Sequence, residues 1–476
     1  MSPQAVSDPG SLRDPEGVVL VEPQRVLRAV KAPAAERLDS AALAKFLERL
    51  SSDRIAVATR KLPVSDWPDR ASLPSETVAV YEHSPKVPFV SYPYEWPFTL
   101  LKRAALAQLD LQVRCLEAGF ILKDASAYNT QFIAGRPLFV DVLSIETYKT
   151  GEPWIAYGQF CRHFLNPLLV QARAGVEFQP LLKWYVDGVE PRVAAQLLPL
   201  WRRFTPPALV HVTAQDYLGR GAESANGLGS APPRTSAAFN VAALLRLANS
   251  LRRAIERLDW TPPSGVWTKY DLDDGYAPAA AAAKRSFVAE VAAQTNPTLV
   301  LDLGANVGAI SKLAAGDGRT VVAMDRDHAC VEQMARRSSD QLLPLVMDLL
   351  NPSTDQGFAG RERKGLAARG PADLLLALAL IHHLALSAGL ALDTIIRWMG
   401  SLTRFAVLEF VPAEDPRAAA FIARRGEPNG PYSRDAFEAV LSRRGRIHHS
   451  LTLPDSLRSL YFGESAEVAD AASARV

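Results

Sequence analysis

The most regular hydrophobic patterning lies in the second half of the chain. Positions 299–327, LVLDLGANVGAISKLAAGDGRTVVAMDRD, give an apolar run (Leu299–Leu303), a glycine-bearing turn, a helix-length segment (Ile310–Ala315) and a second apolar run (Thr320–Met324) ending on Asp325. Short apolar runs separated by a helix predict a parallel βαβ unit buried on both faces. Runs at Leu343–Met347, Asp373–Leu378 and Phe405–Val411 predict three further strands, and Arg446–Leu453 with Leu457–Phe462 a closing hairpin. Helical spacing marks Phe239–Leu258 and Ala279–Ala293, the latter through alanine propensity.

The first half is more broken. Residues 1 to about 15, rich in Ser, Pro and Asp, read as a loose tail. Short β-like runs follow at Val18–Val21, Val26–Val30, Ile55–Thr59, Val78–Tyr81 and Pro88–Val90. A helix is expected from Pro97 to Gly119, with Leu101, Ala105, Leu109, Val113 and Leu116 on one face. A loop and hairpin come next (Thr130–Ile133, Pro137–Asp141), then helical patterns over Glu152–Val170 and Gln179–Phe204. Gly219–Ala237 is the clearest linker.

Composition narrows the function classes. The 476 residues are 48% apolar and 22% charged, as in ordinary globular proteins, and suggest about three folding units. A net charge of +2 gives no electrostatic footprint for nucleic acid or an anionic membrane, so neither is an expected partner. Cys115, Cys161 and Cys330 are widely spaced, form no metal-type cluster and suit a reducing cytoplasm. The N-terminus has neither a basic nor an apolar export region. Leu374–Leu392 is long enough for a membrane span, but two histidines and a glycine interrupt it, so it reads as core.

Chemistry concentrates in Asp302-Leu303-Gly304-Ala305-Asn306-Val307-Gly308. Gly304 and Gly308 permit a sharp turn lying close under a ligand, and Asp325 puts a second carboxylate at the next strand's tip. The D-x-G-x-N-x-G pattern is not the dinucleotide fingerprint. It resembles motif I of the class I S-adenosylmethionine-dependent methyltransferases, with Asn306 where many members have glycine. The resemblance implies that Asp302, Gly304, Asn306 and Gly308 wrap the methionine moiety, Asp325 holds the ribose and Asp348 accepts from the adenine amino group. It calls for no metal in that domain. The resemblance also implies that the fourth strand's end, Ala379-Leu-Ile-His-His-Leu384, borders the transferred methyl group, so either His382 or His383 is a candidate general base. Glu409 is a candidate partner for a histidine or the acceptor. The long polar loop after Asp348 carries Arg361, Arg363, Lys364 and Arg369.

A second constellation lies in Phe120-Ile-Leu-Lys-Asp124-Ala-Ser-Ala-Tyr-Asn129 and the following hairpin ending on Asp141. Helix, loop and hairpin in this order resemble the catalytic segment of the protein kinase-like fold. Carried over, Asp124 is the base, Asn129 and Asp141 hold Mg2+ for ATP, and Lys31 is the candidate phosphate-binding lysine. Leu122-Lys123 and Val142-Leu143 depart from that pattern, and no glycine-rich phosphate loop precedes it. The alternative is that Asp124 and Asn129 cap a tight loop.

Taken together the chain is expected to be α/β: a C-terminal Rossmann-like seven-stranded methyltransferase domain preceded by an α+β kinase-like N-terminal domain. The expected divisions are a small β-containing lobe (1–95), a helical kinase-like lobe (96–218), a linker (219–237), a connecting helix (238–264), the methyltransferase domain (265–463) and a tail (464–476). Most of the chain also resembles a bacterial family related to the host-specific nodulation proteins of rhizobia, through Leu122–Asn129, Trp154-Ile-Ala-Tyr157 and Ala379–Leu384. The expected activity is methyl transfer from S-adenosylmethionine to a small-molecule or glycan-type acceptor, at oxygen rather than nitrogen. Three alternatives stand beside it: phosphotransfer through Asp124, Asn129 and Asp141, alone or in a bifunctional protein; S-adenosylmethionine binding without catalysis; and RNA methylation.

Overall fold

A computed structural model describes residues 5–202, 239–263, 276–316, 318–337 and 341–466. The linker at Gly219–Ala237 lies outside the described residues, as does the tail from residue 467. The chain divides into two units. The first comprises Met1–Phe132, Arg136–Thr261 and Gln356–Arg363, and the second Ile133–Gly135, Pro262–Asp355 and Lys364–Val476.

The first unit contains a five-stranded antiparallel sheet, with β1 (Val6–Ser7), β2 (Gly17–Val21), β3 (Val26–Val30), β4 (Ala58–Lys61) and β5 (Ala79–Ser84) in the order β1-β2-β3-β5-β4. One cluster includes buried Leu20, Leu27, Ala29, Leu62 and Val80. Residues 5–16 are not the loose tail their composition suggests. Val6 and Ser7 pair with β2, and Ala5 and Ser11 are buried. The expected strand at Ile55–Thr59 begins only at Ala58, and Pro88–Val90 forms none.

The helix Phe98–Glu117 follows Pro97 and ends before Gly119, whose φ of 83° suits the reversal. Beyond it come β6 (Phe120–Leu122), β7 (Thr130–Ile133), β8 (Arg136–Phe139) and β9 (Ile145–Thr147), paired as β6/β9 and β7/β8. The expected long helix over Gln179–Phe204 is instead two short ones, Phe178–Trp184 and Pro191–Leu197, because Gly188 turns the chain at φ 90° and Pro191 starts a new helix.

The second unit is built on a seven-stranded sheet of β10 (Leu299–Leu303), β11 (Thr320–Asp325), β12 (Leu342–Val346), β13 (Ala372–Ala377), β14 (Thr403–Phe410), β15 (Gly445–Thr452) and β16 (Ser459–Ser465). Their order is β12-β11-β10-β13-β14-β16-β15. The first five are parallel, and β16 runs antiparallel to both β14 and β15. Seven strands closed by an antiparallel hairpin are thus present. Val300, Leu301, Asp302 and Leu303 are all buried, as a central parallel strand requires. The sheet order reverses between β10 and β13, and in open α/β sheets the crevice beyond the strand C-termini at such a point receives ligands. Leu374–Leu392 resolves into most of β13, a loop and a one-turn π-helix. No helix among the described residues is long and apolar enough to cross a membrane.

Candidate functional site

β10 delivers Asp302 to the reversal point. Its carboxylate is 3% exposed and accepts a 2.6 Å hydrogen bond from Ser311 Oγ, on the helix Ala309–Ala314. Burial pushes its pKa up to about 6, and Asp325 adds to the rise, while Ser311 and the charge of Lys284 act against it. The following turn holds Gly304, Asn306 and Gly308 in the left-handed region, at φ 73°, 51° and 76°. Beyond this backbone requirement, side chains at the glycines would crowd protein neighbours. A Cβ on Gly308 would lie 2.7 Å from Met334 Sδ, and one on Gly304 would lie 3.3 Å from Leu380 Cδ1.

Asp325 ends β11 and braces the same turn. Its two oxygens accept the N–H groups of Asn306 and Asp327, each at 2.8 Å, and burial raises its pKa. Asn306 Oδ1 in turn accepts from Cys330 Sγ at 3.2 Å. Asp348 lies just past β12, exposed, with Oδ1 accepting from Leu350 N–H. Asp325 is thus tied to the turn and Asp302 to the helix that follows it, whereas Asp348 stands apart in its own turn.

Beyond β13 the chain turns at Ala379 (φ 50°) and reaches the two histidines. His382 is 1% exposed, and neither ring nitrogen has a partner among the described residues. The two imidazole centroids lie 4.3 Å apart. Phe421, on the helix Pro416–Arg425, stands 5.9 Å from the first and 5.0 Å from the second. Burial, reinforced by neighbouring cations, depresses both pKa values. His382 falls well below its ordinary value and His383, half-buried, to about 4. Both rings are neutral at pH 7. They can accept a proton, but as weak bases.

Glu409 is not aimed at a histidine. Buried on β14, it accepts Tyr276 Oη–H at 2.6 Å with Oε1, and with Oε2 it accepts Lys284 Nζ at 2.8 Å and Ala379 N–H at 2.9 Å. Lys284 Nζ and Arg458 Cζ each lie 4.5 Å from the Tyr276 ring centroid, and Arg458 Nε reaches Asp415 at 2.8 Å. Burial pushes the Glu409 carboxyl up, but Lys284, Tyr276 and Arg458 outweigh it and keep its pKa below the usual value. The carboxylate therefore fixes the loop leading to His382 through the Ala379 N–H.

In the first unit Asp124 accepts Ser126 N–H at 2.8 Å, which is the loop-capping arrangement, while Gln159 Oε1 accepts Ala125 N–H. Burial and the charge of Asp141 raise the pKa of Asp124, with Asn129 and Gln159 partly offsetting them. Asp141 is held by Arg28, at 2.6 Å. Lys31 instead pairs at an exposed position with Glu76. The cation that reaches Asp141 from the sheet is Arg28.

Comparison with known proteins supplies the family. The chain is 32% identical over 465 residues to nodulation protein NoeA of Rhizobium meliloti (strain 1021), an alignment covering 96% of each chain. The chain belongs to the NoeA family. No family model matches it. Among solved structures it is similar to magnesium protoporphyrin IX methyltransferase (ChlM) from Synechocystis PCC 6803 with bound SAH, at 18% identity over 39% of this chain and 85% of that one, TM-score 0.29. It is also similar to N-methyltransferase NodS from Bradyrhizobium japonicum WM9 with S-adenosylhomocysteine, at 14% identity over 42% and 95%, TM-score 0.31. The bifunctional kinase-methyltransferase WbdD matches at 17% identity over 41% and 40%, TM-score 0.29.

Two structural features of this NoeA-family chain escape a reading of its motifs. Lys284 is one. Its signal is present, because Ala281, Lys284, Val288 and Val291 share one face of the helix Pro278–Thr295 and all are buried. Arg28 is the other, a charged residue between buried Leu27 and Ala29 on β3. Both are charges at positions where the pattern expects apolar residues.

Proposed function

We propose that the C-terminal unit binds S-adenosylmethionine beyond β10 and β11 and methylates an oxygen of a small-molecule or glycan-type acceptor. The observation supporting this most directly is the placement of Asp302 and Asp325. A buried acid near the end of β10 and a half-buried one ending the adjacent parallel β11 flank a left-handed turn at the sheet's reversal point, with a histidine pair beyond the next strand. The residues suit the cofactor. A carboxyl held at about 6 by burial gains most from a cation such as the cofactor's amino group, which would restore its ionised form. Asp325 would receive the ribose hydroxyls, since each carboxylate oxygen has a second lone pair beyond the backbone N–H it accepts. Asp348 is assigned to the adenine amino group.

S-adenosylmethionine supplies an electrophilic methyl group on a cationic sulfonium. The chain's task is then alignment and proton removal. His383, half-buried and neutral at pH 7, is the group assigned to accept the acceptor hydroxyl's proton. Phe421 packs edge-on against His383, and Glu409 holds the loop through Ala379. His382 is sealed and supports its neighbour. This burial is also the observation favouring binding without turnover, a reading that predicts no acceptor-dependent release of S-adenosylhomocysteine. Phosphotransfer through Asp124, Asn129 and Asp141 lacks such support. Arg28 holds Asp141, the expected metal ligand, in an ion pair. The test is thermal. S-adenosylhomocysteine should raise the melting temperature of the protein and fail to raise that of Asp325→Ala; no shift in the unmodified protein contradicts the reading.

A further inference from the structure

Arginines from three elements gather at the strand ends around the histidine pair. Arg326 directly follows Asp325 at the end of β11, and Arg417 opens the helix Pro416–Arg425 beyond β14. Four residues on from Arg417, on the same helical face, Phe421 packs against both imidazoles. Arg458 immediately precedes β16, whose first residue, Ser459, pairs with Phe410 at the end of β14. Asp415 joins the last two arginines. Its Oδ1 accepts Arg417 N–H at 2.9 Å, and its Oδ2 accepts Arg458 Nε–H at 2.8 Å.

The carboxylates at this edge are committed to protein donors. Glu409 accepts from Tyr276, Lys284 and Ala379, Asp415 from Arg458 and the helix N-terminus, and Asp325 from two backbone N–H groups. After burial, the groups that disfavour protonation of His383 are Arg417, Arg326 and Arg458. For His382 they are His383, Arg458, Arg417 and Lys284. Hydrogen-bonding capacity is also left over. Arg458 is 3% exposed, yet its Nη1 makes no hydrogen bond among the described residues, and Glu409 Oε1 at 3.8 Å is too far for one. His382, 1% exposed, has neither ring nitrogen partnered. An oxyanion seated here fills a buried donor and offsets the cations at once. One negative charge suits the place better than two, since Asp325, Glu409 and Asp415 already stand at the neighbouring strand ends.

We propose that the acceptor carries a carboxylate, seated by Arg417 and Arg458 beside His383. The inference rests on the acceptor reading above and narrows it to an acidic sugar or hydroxy acid. The seated charge also supplies what His383 lacks as a base. With an anion beside it the ring holds a proton more readily, so an acidic acceptor strengthens the group that receives its own hydroxyl proton.

Carbon-13 NMR of the full chain labelled at histidine tests this, with formate as the probe and the His383 signal identified by its loss in His383→Asn. At pH 5 in chloride the ring should be about a tenth protonated, since its pKa is about 4. Formate at equal ionic strength should raise that fraction at least fivefold and saturably, and the dianion sulfate should raise it less. Arg417→Gln should show a higher fraction in chloride and no further rise with formate. Absence of a formate response overturns the seat, and a larger response to sulfate overturns the carboxylate. A response that survives Arg417→Gln overturns the part given to that residue. The melting shift with S-adenosylhomocysteine, read on the same protein, separates the two readings. Formate uptake without that shift overturns the cofactor assignment and with it the seat's role for an acceptor. The shift without formate uptake overturns the present inference alone.

Discussion

Lys284 Nζ lies 2.8 Å from Glu409 Oε2 inside the C-terminal unit, with the two side chains 5% and 0% exposed. A buried pair of this kind is expensive to break from one side, since the remaining charge has no solvent to receive it. Lys284→Met should therefore cost about 3–5 kcal/mol, read from urea unfolding. Replacing both members with apolar residues should recover only part of that loss. Glu409 also accepts from Tyr276 and Ala379, and an orphaned buried N–H costs about 1–3 kcal/mol.

Asp302 sets a pH dependence. Its folded pKa of about 6 lies above its ordinary value of 3.8. Between those two values the folded protein keeps a proton that the unfolded chain has lost. The group's contribution to stability is thus greatest in acid and declines as pH rises, by about 3 kcal/mol in all. A cationic ligand reverses the preference. S-adenosylmethionine affinity should rise from pH 5 to a plateau above pH 7, and Asp302→Asn should flatten the profile.

Gly308 has φ 76°, and a Cβ there would meet Met334 Sδ. Gly308→Ala should cost about 1–2 kcal/mol for the left-handed backbone plus the displacement of a buried methionine. Combining it with Met334→Ala should relieve the contact but not the backbone term. A double-mutant cycle in chemical unfolding separates the two.

Arg28 and Lys31 make opposite predictions three residues apart. Arg28→Gln leaves Asp14 and Asp141 facing each other without their cation and should destabilise the first unit by about 3 kcal/mol. Lys31→Ala loses an exposed pair with Glu76 and should leave the melting temperature unchanged.

These residues also show what a linear reading reaches. The β10–β11 unit is legible because its signals are local: two apolar runs, one turn, and an acid at each strand end. β12 is shifted by one residue because its end is set by pairing, Asp325 opposite Val346, which is a long-range contact. Glu409 reads as a catalytic partner from its strand-end position, whereas its bond to Lys284, 125 residues away, is invisible in the local pattern. Residues 5–16 read as a tail because they are polar. They are ordered by cations brought from β3, a helix and the end of β6, and no feature of the segment itself reports them.

The most direct test of the central claim is calorimetric titration of the protein with S-adenosylmethionine, beside Asp302→Ala and Asp325→Ala. Saturable one-site binding, weakened at least tenfold by each substitution, is the result expected of acids that hold the cofactor's amino group and ribose. Absence of binding in the unmodified protein, or binding indifferent to both substitutions, would contradict the assignment of the β10–β11 turn as the cofactor site.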